Sequence, residues 1–150
     1  MKEIGVYIHI PFCIKKCDYC DFISYCNKQD LVEEYIEKLK EEINIELNKM
    51  EYKIKTIYIG GGTPSSIDSK FIIDTLNVIK EKHSLEDVEV TIEVNPGTVT
   101  EQKLLDYKIA GVDRLSIGLQ ETNNELLKEI GRIHTYEEFL ETYNLARQVG

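Results

Sequence analysis

Cys13-Ile14-Lys15-Lys16-Cys17-Asp18-Tyr19-Cys20 sets three thiols at C-x3-C-x2-C spacing, directly after the apolar run Val6-Tyr7-Ile8-His9-Ile10-Pro11-Phe12. A loop this short aims three sulfurs at one small object and leaves little room for a fourth from the same loop. On a tetrahedral zinc, three thiolates leave one open position. On a four-iron cluster they leave one open iron, which can take a substrate. Cys26 lies six residues beyond Cys20, so a closed four-thiolate site, structural zinc or a saturated cluster, is the alternative. Structural zinc normally pairs its ligands on two knuckles, and a second knuckle is missing here. Four cysteines bunched into fourteen positions do not form the spread framework of a disulfide-stapled secreted domain.

Working outward, Val6 to Pro11 alternates Val, Ile and Ile with Tyr and His, the period of a strand. After the cysteine loop, Asp30 with Glu33 predicts a capping box. The helix it would open carries one apolar stripe, Val32, Ile36, Leu39, Ile43 and Leu47. A second strand, Thr56 to Ile59, runs into Gly60-Gly61-Gly62-Thr63-Pro64-Ser65, where glycine permits positive φ and close backbone approach. A helix over 68–82 follows, then a strand over Val88–Val94 and a helix capped by Thr100 and ended by Gly111. The remainder reads as a strand over Arg114–Leu119, a short helix over Asn124–Ile130, and a helix to Val149 opened by a Thr135/Glu138 capping box.

Strand then helix, four times over, means parallel strands joined by crossover helices. Four units do not close a barrel, and Gly150 falls where a helix stop leads into another strand. The fold expected is α/β, the first four βα units of a partial barrel. Residues 1–150 are then the N-terminal part of a longer protein, whose last strand here is an unpaired edge. A complete four-stranded open sheet is the alternative.

In each strand one side-chain set is aliphatic (Val6, Ile8, Ile10; Ile57, Ile59; Val88, Val90, Ile92, Val94; Leu115, Ile117, Leu119) and should face the helices. The opposite set is polar: Tyr7 and His9; Thr56, Tyr58 and Gly60; Glu89, Thr91 and Glu93; Ser116, Gly118 and Gln120. A purely structural barrel fills its interior with branched apolar residues. Here the polarity extends to the C-terminal strand ends, the rim on which βα proteins build their sites. The cysteine loop, the triple glycine, Glu93 and Gln120 all converge there. Taken singly each has a plainer reading: a solvated carboxylate, a tight turn, an interior hydrogen-bonded His9. His83 at a helix end suits the dipole, Cys26 reads as a free thiol, and spacing assigns His134 no role.

The chain has 150 residues, 42% of them hydrophobic, enough for one packed domain. Net charge is −9, with acidic residues on helix faces and no basic stripe, which argues against a nucleic-acid partner. The first residues lack a signal-peptide core and no stretch reaches membrane-spanning length, so with clustered thiols the expectation is the reducing cytoplasm.

The three-cysteine motif, with an aromatic before its third member, resembles the signature of the radical S-adenosylmethionine enzymes. Tyr7-Ile-His-Ile-Pro-Phe-Cys13, Gly60-Gly-Gly-Thr-Pro-Ser65, Glu93-Val-Asn-Pro-Gly-Thr98, Arg114-Leu-Ser-Ile-Gly-Leu-Gln120 and Gly131-Arg-Ile-His134 are together similar to one branch of them. That branch holds oxygen-independent coproporphyrinogen III oxidase (HemN) and the haem chaperone HemW. The resemblance implies the start of a (β/α)6 barrel, with Cys13, Cys17 and Cys20 holding a 4Fe–4S cluster and S-adenosylmethionine completing the fourth iron. It also implies an electron donor of the reductase, flavodoxin or ferredoxin kind, and a radical that abstracts hydrogen. By position, Gly61 and Gly62 would present backbone to the methionine end of the cofactor, and Tyr7 and Glu93 match first-cofactor positions. Tyr19, Thr63, Gln120 and Arg132 match positions around a second S-adenosylmethionine in the oxidase.

One departure separates the branch members. The oxidase has a further cysteine where Phe22 stands here, and Cys20-Asp21-Phe22 resembles the chaperone pattern. The resemblance therefore implies haem as ligand ahead of oxidative decarboxylation of coproporphyrinogen III. A radical methyltransferase is a third relative, and a four-cysteine zinc module remains the non-catalytic alternative.

Overall fold

The computed structural model describes residues 2–49 and 51–150. Its frame is a four-stranded parallel sheet in the order β1 (Lys2–Ile10), β4 (Tyr52–Gly61), β5 (Glu89–Val94), β6 (Arg114–Ile117). Within the loop after β1, β2 (Phe12–Cys13) and β3 (Tyr25–Cys26) pair as a short parallel ribbon. The crossovers carry α1 (Val32–Leu47), α2 (Ser69–Lys80) and α3 (Glu101–Ile109). Two further helices, α4 (Asn124–Glu129) and α5 (Tyr136–Val149), follow β6.

Chain order equals strand order, as right-handed crossovers between neighbours require. The aliphatic set of the strands faces the helices: Ile10, Ile59, Val90 and Ile92 are fully buried and pack with Ile36, Ile72, Leu76 and Ile79 of α1 and α2. Two helix starts follow the caps read from sequence: Thr100 accepts from the Lys103 amide, and Thr135 and Glu138 form the full capping box. Asp68, which accepts from the Lys70 amide, and Asn123, which accepts from Glu125 and Leu126, cap two more.

Several boundaries differ from the sequence reading. Asp30 does not cap α1. It lies inside a one-turn 3-10 segment, Gln29–Leu31, and the helix starts behind Leu31 without a side-chain cap. The backbone has already turned at Asp30, which leaves its carboxylate in the first turn, where it still suits the dipole. β1 begins at Lys2 and β4 at Tyr52, earlier than alternation indicates, because a register shift at Ile4/Gly5 interrupts the period. β6 ends at Ile117; the Gly118 amide still donates to the Val94 carbonyl at 3.1 Å, and Gln120 then takes a left-handed φ of 70° as the chain leaves the sheet. Among the described residues β6 has one strand neighbour, β5, and its Leu115 and Ile117 are only half-buried. No helix among the described residues is long and apolar enough to cross a membrane.

Candidate metal centre

At the C-terminal ends of the strands lies a cavity of about 190 Å³. Cys13, Cys17 and Cys20 line it together with Tyr19, Gly61, Gly62, Thr63, Glu93, Gln120 and Arg132. Ten of the eleven site residues expected from sequence thus share one wall. Tyr7 is the exception: it lies one strand over, 59% exposed, its hydroxyl paired with His9 Nδ1 at 3.0 Å and its ring stacked 6.2 Å from that of Tyr58.

The cysteine loop is pinned from three sides. His9 Nε2 meets the Ile23 carbonyl at 2.9 Å, Lys16 Nζ donates to the Phe22 carbonyl at 3.0 Å, and the Asp18 amide donates to the Ile130 carbonyl at 3.3 Å. The Tyr25 amide donates to Pro11 at 2.8 Å, which closes the β2–β3 ribbon over the loop. Cys26 sits in register with Cys13 across that ribbon and is not among the residues lining the cavity. Among the described residues no three His, Cys, Asp or Glu side chains form a single-ion site.

The glycine turn explains itself through its own chain. A Cβ on Gly62 would lie 2.7 Å from the Phe12 carbonyl and 3.0 Å from Cys13 Sγ, and Gly61 has φ +122° with the His9 ring against it. Only glycine lets β4 come this close to the cysteine loop. The amides here are spent: Gly61 donates to Glu93 Oε2 at 3.1 Å, Gly62 to the Ile10 carbonyl at 2.9 Å, and Thr63 to the Phe12 carbonyl at 2.8 Å. Glu93 uses its other oxygen to accept from the Tyr58 hydroxyl at 2.8 Å. Burial and the nearby carboxylate push the Tyr58 and Tyr7 hydroxyls above their ordinary pKa, so both remain donors in neutral solution.

Two thiols receive donors. Thr63 Oγ1 donates to Cys13 Sγ and Arg132 Nη1 to Cys17 Sγ, each at 3.6 Å. Asn95 joins these two donors, its Nδ2 donating to Thr63 Oγ1 at 3.0 Å and its Oδ1 accepting from Arg132 Nη2 at 3.1 Å. A hydrogen-bonded chain therefore runs Cys13–Thr63–Asn95–Arg132–Cys17. Three sulfurs around one cavity, with a cation and a hydroxyl aimed at them, fit an anionic thiolate cluster. Sequence reasoning quoted Asn95 and His134 inside motifs and gave neither a role. Asn95 meets partners 32 and 37 residues away and His134 reaches back to the Leu119 carbonyl as well as to its near neighbour Arg132, pairings that no local period reveals.

The fold and this rim define a class: the profile of the Radical SAM superfamily matches residues 7–150, and the chain belongs to that superfamily. Membership implies a 4Fe–4S cluster and S-adenosylmethionine. Among named relatives, the chain is 40% identical over 157 residues to "Heme chaperone HemW" of Haemophilus influenzae, covering 100% of this chain and 41% of the relative. It is 39% identical to "Heme chaperone HemW" of Escherichia coli, covering 100% and 40%. Among solved structures, Escherichia coli coproporphyrinogen III oxidase (HemN), described as a radical SAM enzyme, superposes with a TM-score of 0.88 at 27% identity, over 99% of this chain and 35% of that one. The chain thus spans about two fifths of the length of these relatives.

Proposed function

We propose that this chain is the cluster- and cofactor-binding part of a radical S-adenosylmethionine protein of haem metabolism that handles haem itself, as its HemW-named relatives do. Cys13, Cys17 and Cys20 would hold three irons of a 4Fe–4S cluster. A cluster bound there would supply one electron to the sulfonium of S-adenosylmethionine. The protein's own contribution is to fix the cofactor and exclude water. With the amides of Gly61, Gly62 and Thr63 already committed, the glycine turn offers carbonyl oxygens, acceptors suited to the cofactor's ammonium group. Glu93 braces that turn and would border the first cofactor, with Tyr7 flanking it from one strand over. Tyr19, Thr63, Gln120 and Arg132 border the far side, where a second cofactor or the haem edge would lie.

The observation that carries the haem-handling reading is Phe22. By the sequence resemblance it stands where the oxidase has an additional cysteine, and in the structure it lines the cavity and is 71% exposed. An exposed aromatic at the mouth of a thiol-lined cavity suits a flat apolar macrocycle. The second reading, coproporphyrinogen III oxidation, draws on the structural likeness to HemN. Anaerobic reconstitution of the intact protein should give close to four irons and four sulfides per chain, and S-adenosylmethionine should alter the reduced cluster's EPR signal. Incubation with coproporphyrinogen III, reductant and S-adenosylmethionine then separates the readings. Stable haem binding without protoporphyrinogen is expected, whereas protoporphyrinogen formation would decide for the oxidase. A colourless protein holding one zinc, lost in Cys26→Ser, would overturn both.

A further inference from the structure

The guanidinium of Arg132 has no donor to spare. Nη1 donates to Cys17 Sγ at 3.6 Å and the Tyr19 hydroxyl at 3.5 Å, and Nη2 to Asn95 Oδ1 at 3.1 Å and the Gly118 carbonyl at 2.9 Å. The fifth N–H, on Nε, donates to His134 Nδ1 at 3.1 Å. Arginine's donors form a rigid planar fork. Fixing the Nε edge therefore fixes where Nη1 and Nη2 point.

His134 is built to do this. It is only 5% exposed and both ring nitrogens are engaged: Nδ1 accepts from Arg132, which leaves the ring proton on Nε2, and Nε2 donates to the Leu119 carbonyl at 3.2 Å. One neutral tautomer satisfies both contacts, and burial together with the Arg132 charge pushes the ring's pKa down, which keeps that tautomer in place. The Leu119 contact also ties the ring to the turn that carries Gln120 into the cavity.

We infer that His134 is a positioning residue that acts through Arg132, holding the guanidinium so that its charge and one N–H bear on Cys17 Sγ. The inference rests on the reading of Cys17 as a cluster ligand. A donor and a positive charge at a cluster sulfur favour the reduced, more negative cluster and raise its potential. Without His134 the Nε–H is left buried and unpaired, and the fork turns off the sulfur.

The test uses the intact, cluster-loaded protein, with the reduction potential and the EPR response to S-adenosylmethionine as readouts and iron content and melting temperature as controls. His134→Leu should lower the potential by about a tenfold change in the reduced-to-oxidised ratio, about 59 mV for one electron. Arg132→Gln should do the same, and the double variant should go no further than Arg132→Gln alone. His134→Asn, whose Oδ1 takes the place of Nδ1, should stay within about twofold of wild type on the same scale. Wild-type potential in His134→Leu, additive shifts in the double variant, or an Asn variant as impaired as Leu would each overturn the inference. If His134→Leu fails to hold a cluster, the Asn variant decides by the same criterion. Wild-type protein that takes up no cluster sinks the functional reading beneath it, a result distinct from any of these.

Discussion

The two faces of the same strands obey different rules. On the helix side, Ile59, Val90 and Ile92 are held by shape alone, in contact with other aliphatic groups. On the concave side, Tyr58, Glu93 and Asn95 are held by named partners at 2.8–3.1 Å. The helix side tolerates any residue of similar volume. The concave side tolerates few changes, because removing one partner leaves another unpaired. Stability should therefore reside mainly on one face and chemistry on the other, and substitutions should separate them.

The sharpest separation is expected at the thiols. Serine at Cys13, Cys17 or Cys20 should take iron content from near four per chain to near zero while the melting temperature of the apoprotein stays close to wild type. Cys26→Ser, one position off the cavity wall, should keep its iron; iron analysis after anaerobic reconstitution checks both. On the other face, Ile92→Ala removes a fully buried side chain and should cost about 2–5 kcal/mol by denaturant titration, with the iron content of the folded fraction unchanged. Gly62→Ala breaks the division, because its Cβ would strike both the Phe12 carbonyl and the Cys13 sulfur. A loss of about 1–3 kcal/mol together with weakened cluster retention is expected, and a variant that loses neither would show that the turn has slack. Tyr58→Phe removes one hydroxyl from Glu93 and should cost about 1 kcal/mol.

The smallest effect is a pH dependence. The folded-state pKa of His134 lies below its ordinary value of 6.5, so between the two values the unfolded chain binds the extra proton. Stability is then complete above about pH 6.5 and falls as the solution is acidified through that window. Asp106, Glu121 and Glu137, whose carboxyls are held down by hydrogen bonds from Ser69, Asn123 and Asn124 respectively, lose their contributions only at lower pH. Melting temperatures from about pH 7.5 to pH 5 should decline, and His134→Asn should flatten the decline. A flat wild-type curve would contradict it.

Much of the frame was legible because it is periodic. Alternation marked the strands, a four-and-three spacing marked α1, and Thr100 and the Thr135/Glu138 pair announced their helices through short-range caps. Asp30 carried the same signal and misled, since a 3-10 turn intervened. The cavity wall was legible as motif blocks, four of which run off strand ends while the fifth, Gly131 to His134, follows α4 and brings Arg132 to the same wall. The wiring within it was not, because Asn95 meets Thr63 and Arg132 across separations of 32 and 37 residues, and hydrogen bonds between distant side chains leave no period. The β2–β3 ribbon escaped for a different reason: two residues a side are too few to show alternation.

Arg132 and Cys17 stand 115 residues apart, and that separation has a meaning in time as well as in space. A ribosome adding about 5–20 residues per second delivers the arginine on the order of 10 s after the thiol. For that interval the nascent polypeptide carries three uncovered sulfurs without their cationic neighbour. A cluster assembled before Arg132 has emerged should accordingly show the lowered potential of the Arg132→Gln variant, and ribosome-bound chains stalled with residue 132 still unexposed should give that potential rather than the wild-type one.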